Sequence, residues 1–80
     1  MEGMSITAAQ VRGARAMLNM DQEELARRAG LKRVAIGRFE TGVTSPHDST
    51  LQRIQVALEE AGVVFIETDT GFGVLLSRKK

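Results

Sequence analysis

The sequence predicts a mainly α domain, four helices followed by a C-terminal β-hairpin. Eighty residues make one small domain whose core hides only a modest share of the surface its unfolded chain exposes. Up to Gly62, apolar residues recur at helical spacing, interrupted by cap residues and turn glycines. Past Gly62 the period changes, and two nearly continuous apolar runs follow with a polar break between them.

Thr7 with Gln10 three residues later has the form of a capping box, so a first helix is predicted from about Ala8 to Leu18. Val11, Ala14 and Leu18 share its inner face, flanked by Arg12 and Arg15. Asn19 and Met20 break it. Asp21 and Glu24 place carboxylates at the positive end of a second helix, Gln22 to Ala29, with Leu25, Ala26 and Ala29 turned inward. Gly30 ends it, because a residue without a Cβ turns sharply at little cost. A third helix runs from Arg33 to about Thr41, with Ile36 and Phe39 sharing a face with Leu31. Lys32 stands where a Ser or Thr cap would be expected, so its start is weakly capped. The stretch from Gly42 to His47, with the single proline at Pro46, reads as a loop. Asp48 is expected to cap a fourth helix with Leu51, Ile54, Ala57 and Leu58 at helical spacing. Val63 to Ile66 and Phe72 to Leu76 read as strands joined by a loop from Glu67 to Gly71. Their continuous apolarity is that of strands covered on two faces, by the helices or by a second copy of the chain.

The net charge of +1 says little, but its distribution says more. Between Leu25 and Arg38 stand Arg27, Arg28, Lys32, Arg33 and Arg38 with no acid. That is the footprint expected of a phosphate binder, although a solvated helix surface has the same composition. The chain has no cysteine, which removes disulfides and thiolate metal sites as sources of stability and leaves oligomerisation. The amino terminus lacks a basic start and an apolar run, and no segment approaches the ~20 apolar residues of a membrane span. A soluble, cytoplasmic protein is expected, with Met4 as an alternative start. There is no internal repeat or low-complexity segment.

Two short helices joined by a tight turn, with positive charge on the second, form a helix-turn-helix pattern suited to duplex DNA. The third helix would enter the major groove, which is wide enough for it. Arg33, near its start, is the first candidate for a guanine edge, since arginine can bond both acceptors there. Arg38 would read a base or hold a phosphate, and Lys32 would hold a phosphate. Val34 either touches a thymine methyl or simply packs. Gly37 either lets something approach closely or is tolerated at about 1 kcal/mol relative to Ala. Gln22, at a helix start where unsatisfied N–H groups favour an anion, would add a phosphate contact. Thr41, Thr44 and His47 would reach the same strand, or are ordinary loop residues. The basic end, Arg78-Lys79-Lys80, is either a solvated tail or a further phosphate contact.

Gln22-x-x-Leu25-Ala26, Ala29-Gly30-Leu31, Ile36-x-Arg38-Phe39-Glu40-x-Gly42, Pro46 and Thr50-Leu51 together resemble the Cro and phage-repressor helix-turn-helix family, also called the xenobiotic-response-element (XRE) family. The resemblance covers about Val11 to Gly62. It implies a four-helix phage-repressor-like domain over residues 1–62, binding a near-palindromic operator as a homodimer. It also implies base reading from Lys32, Arg33, Val34, Gly37 and Arg38, of which Gly37 has no side chain to contribute. Gln22 would sit on a phosphate, and Arg15 and Glu40 would form a structural ion pair. Residues 63–80 depart from the family pattern by replacing an additional helix with the hairpin, which is expected to be the dimer contact, followed by the basic tail. So minimal a chain is expected to be a repressor.

Two other classes compete. The same fold can serve as a protein-binding module, an antiactivator or antitoxin-like partner, and fold alone does not exclude this. Asp69-Thr70-Gly71 resembles the aspartic-protease triplet, but the chain already committed to helices leaves no room for a second lobe or flap, so no enzyme is expected. Gly71-Phe72-Gly73 is too short for a nucleotide loop and no helix follows it. His47 alone makes neither a metal site nor a catalytic dyad. No cofactor is expected.

Overall fold

The computed structural model describes residues 5–78; Met4, Lys79 and Lys80 lie outside them. Four helices, α1 (Ala8–Leu18), α2 (Gln22–Ala29), α3 (Arg33–Glu40) and α4 (Asp48–Ala61), precede strands β1 (Val63–Thr68) and β2 (Gly71–Leu76). The largest fully buried side chains, Val11, Leu25, Ile36, Ile54 and Leu58, come one or two from each helix, so the core sits where the four helices meet.

Local chemistry sets most boundaries. The capping box at α1 is formed, with Gln10 N–H donating to Thr7 Oγ1 and Thr7 N–H donating to Gln10 Oε1. Asn19 ends α1 in the left-handed region at φ 54°, a conformation that a short polar side chain tolerates. Asp21 caps α2 by accepting from Glu24 N–H, and Gly30, at φ 72°, closes it. Arg53 of α4 donates to the Gly30 carbonyl, tying α4 to the turn. Lys32 caps α3 without any side-chain bond. At the far end of α3, Gly42 N–H donates to Phe39 O and Val43 N–H to Arg38 O, a Schellman closure.

Two expectations are corrected. The N-cap of α4 is His47, not Asp48; Asp48 is the first helical residue, where its carboxylate faces the positive end of the helix. The hairpin loop is two residues, Asp69 and Thr70, because strand pairing continues to Thr68 opposite Gly71. There Thr68 Oγ1 accepts from Thr70 N–H and supplies the local turn bond. Within one chain the helices cover one face of the hairpin. Val63 and Phe65 point inward and are buried, while Val64, on the opposite face, is 47 % exposed.

The hairpin is antiparallel, with Val63 opposite Leu76 and Phe65 opposite Val74. It packs chiefly through β2 against α1. Gln10 is the clamp: its buried Nε2 donates to both Ile66 O, at 3.2 Å, and Gly73 O, at 2.7 Å, so one amide spans both strands. Gly13, one turn on, faces the same strand. A Cβ there would sit 3.4 Å from Val74 Cγ1.

Candidate nucleic-acid interface

Because Ile36 and Phe39 are buried, the helical period turns Lys32, Arg33, Val34 and Arg38 outward, and all four are exposed. Val34 is 52 % exposed and lines a depression of about 200 Å³ with Thr44 and Pro46. Gly37 is half-buried beneath α2, where a Cβ would meet Gln22 Oε1 at 3.7 Å, an ordinary contact. Its glycine is therefore compatible with close packing but not required by it.

The acid of α3 itself is removed from this surface electrostatically. Glu40, 3 % exposed, takes two bonds from Arg15: Nε to Oε2 at 2.7 Å and Nη2 to Oε1 at 2.8 Å. Arg15 also donates to Met20 O, and Arg12 donates to the Glu40 carbonyl. Burial pushes the Glu40 carboxyl up, but the hydrogen bonds from Arg15 and Gln22, with the charges of Arg15 and Arg12, outweigh it and hold the group below its ordinary range. The hydrogen bond to Glu40 correspondingly raises Arg15, against some desolvation.

Gln22 links this buried pair to the surface. Its Nε2 donates to Glu40 Oε1 at 3.0 Å, and its Oε1 accepts from Arg33 Nη1 at 3.1 Å. A carboxylate only accepts and a guanidinium only donates, so the orientation of the amide between them is determined. A chain of bonds thus runs Arg15, Glu40, Gln22, Arg33, from the interior to the exposed start of α3.

The remaining candidates sit at the edge of this surface. Thr41 Oγ1 donates to Gly37 O at 2.9 Å, Thr44 is exposed in the loop, and His47 is exposed at the start of α4. The run of five cations does not form one patch. Arg27 and Arg28 stand on α2, where Arg28 pairs with Glu24 at 2.9 Å beside α4, and Lys32, Arg33 and Arg38 are the cations at the start and along the length of α3. Among the described residues the ion pairs are Arg15–Glu40 and Arg28–Glu24, so no carboxylate neutralises those three. Sequence reasoning missed the Gln10 clamp, the Arg12 bond and the Gln22 linkage.

Residues 11–61 match the family model described as Helix-turn-helix, well over half of the chain. The chain belongs to the helix-turn-helix family, in its XRE-type branch. Among solved structures, this helix-turn-helix chain is similar to the solution structure of the DNA-binding domain of the P22 C2 repressor. The two share 26 % identity and a TM-score of 0.62, over 71 % of this chain and 76 % of that one. A comparison with curated protein sequences returns no match. Asp69-Thr70-Gly71 spans the exposed two-residue turn and the first residue of β2, and no metal-holding group of His, Asp or Glu occurs among the described residues. No helix among them is long and apolar enough to cross a membrane.

Proposed function

We propose that this chain is a cytoplasmic transcriptional regulator, a repressor, that binds a near-palindromic duplex operator as a homodimer and carries out no catalysis. The observation that carries the reading is α3: three unneutralised cations and Val34 face solvent on a helix anchored by Ile36 and Phe39, while the carboxylate of that helix, Glu40, is buried against Arg15. The solved relative is itself described as a DNA-binding domain.

In this reading Arg33 meets a guanine edge, already aimed by the Gln22 carbonyl, so less side-chain freedom is lost on binding. Arg38 and Val34 lie further along the groove, and Lys32 meets a phosphate. Gln22 spends one of its two amide hydrogens on Glu40 and keeps the other for a phosphate. Thr44 and His47 extend the backbone contact. Thr41 joins them by giving up its bond to Gly37 O, since a phosphate oxygen only accepts. Two copies would place their reading helices about one duplex turn, ~34 Å, apart.

Selection of bound duplexes from a random pool, at stated salt, tests this. A two-fold symmetric site is expected, and Arg33→Ala should lower affinity about ten- to a hundredfold while relaxing preference at one base pair per half-site. Unchanged affinity and preference in that variant would remove α3 as the reader. Absence of any salt-sensitive DNA retention by the parent chain would favour a protein-binding role.

A further inference from the structure

The β2 edge of the hairpin carries no charge, proline or bulge. Ser77 N–H donates to Gly62 O at 2.7 Å, and the alternation of an antiparallel ladder then makes 64/75, 66/73 and 68/71 the bonded pairs. Phe72, Val74 and Leu76 consequently turn their backbone N–H and C=O groups away from β1. Natural edges are usually blunted by charge, proline or a bulge, yet β2 reads Gly-Phe-Gly-Val-Leu-Leu. Phe72 is 55 % and Leu76 50 % exposed.

We propose that β2 pairs antiparallel with β2 of a second copy about a two-fold axis at Val74, joining two hairpins into one four-stranded sheet. This rests on the homodimer assumed above and specifies its contact. The register follows from the backbone: outward-facing residues must meet outward-facing residues, so Val74 meets its own equivalent and Phe72 meets the second copy's Leu76. Neighbouring registers are bonded equally well but leave Phe72 or Leu76 without the other. On the same helix-facing side, a groove of about 460 Å³ lies between Phe72, Val74 and the first turn of α1 at Thr7, Ala9 and Gln10. The second copy's Leu76 would enter this groove, and by symmetry each copy both gives and receives that side chain.

Charge agrees with the same alignment. Past Leu76 the chain reaches Arg78, which this alignment carries toward the turn end of the other copy's hairpin, where Glu67 of β1 and Asp69 of the turn stand. Neither edge strand offers a like charge opposite another.

The chain has no native cysteine, so the test is clean. Phe72→Cys and Leu76→Cys, prepared separately and oxidised, should each stay uncrosslinked, because equivalent positions lie about four residues apart along the paired strands. Mixing the two should give a covalent dimer, since bonded cross-strand pairs bring Cα atoms to about 5.5 Å. Leu76→Glu should retain its helical circular dichroism but sediment as a monomer. Self-crosslinking of Val64→Cys or Leu75→Cys, without the mixed product, would move the contact to the outer face and overturn the proposal. A parent chain that is monomeric at tens of micromolar would overturn it together with the dimer. The assignment of α3 as reader is judged separately, by the Arg33→Ala base preference.

Discussion

The two exposed surfaces proposed above to meet DNA and a second copy are built in opposite ways. The α3 face is polar and tied to the interior, since Arg33 is bonded to Gln22, Gln22 to Glu40, and Glu40 to Arg15. The hairpin is apolar and lightly tied, held by Val63, Phe65, Val74 and the single amide of Gln10. A surface that must present a directional donor gains from preorganisation, because a misplaced arginine loses both its bonds to a base edge. A surface that meets a copy of itself through backbone and apolar side chains needs only register, which strand periodicity supplies.

If the contrast is right, substitutions in the first network should disturb both stability and reading, and those in the second only attachment of the hairpin. Arg15→Ala should have the largest effect. It leaves Glu40 buried without its partner and should cost about 3 kcal/mol in denaturant unfolding, a large part of the total for so small a domain. Acid should act on the same pair. The Glu40 pKa is lower folded than unfolded, so its stabilisation is complete above the ordinary carboxylate range and is lost as pH falls through that range and below. Urea midpoints measured from about pH 6 to about pH 3 should fall less steeply in Glu40→Gln than in the parent.

Gln10→Ala removes the clamp and half of the capping box, and about 1–2 kcal/mol should be lost. Hydrogen exchange in β2 should quicken more than in α3; equal quickening would mean that the two surfaces are not separately held. The smallest effect is a gain. Gly37→Ala meets only ordinary contacts and should raise stability by up to about 1 kcal/mol, with the Arg33 base preference unchanged.

How much of this was legible in the sequence follows from the range of each interaction. The ends of α1 and α2 were readable because their caps, Thr7 with Gln10 and Asp21 with Glu24, act within a few residues. Asp48 misled because a carboxylate suits both the cap and the first turn, and the backbone placed His47 one residue earlier. Glu67 to Gly71 misled because a loop rich in turn residues can still carry ladder bonds up to Thr68. Contacts spanning the chain left no local trace: Arg15 and Glu40 are 25 apart, and Gln10 and Gly73 are 63 apart. Family resemblance brought the first into view. The second is a polar residue spent on bridging two strands, which no periodicity marks.

One rod connects everything that must stay aligned. From α1, Gln10 holds the hairpin on one side, while Arg12 and Arg15 grip the end of α3 from another, some 140–200° around the axis at about 100° per residue. A single residue inserted between Gln10 and Arg12 would swing one grip about 100° relative to the other, with no slack to absorb it. An equal insertion in the exposed loop before Pro46 would leave both grips where they are. The phase of eleven residues therefore acts as the gauge for how far the hairpin stands from the arginine-bearing helix.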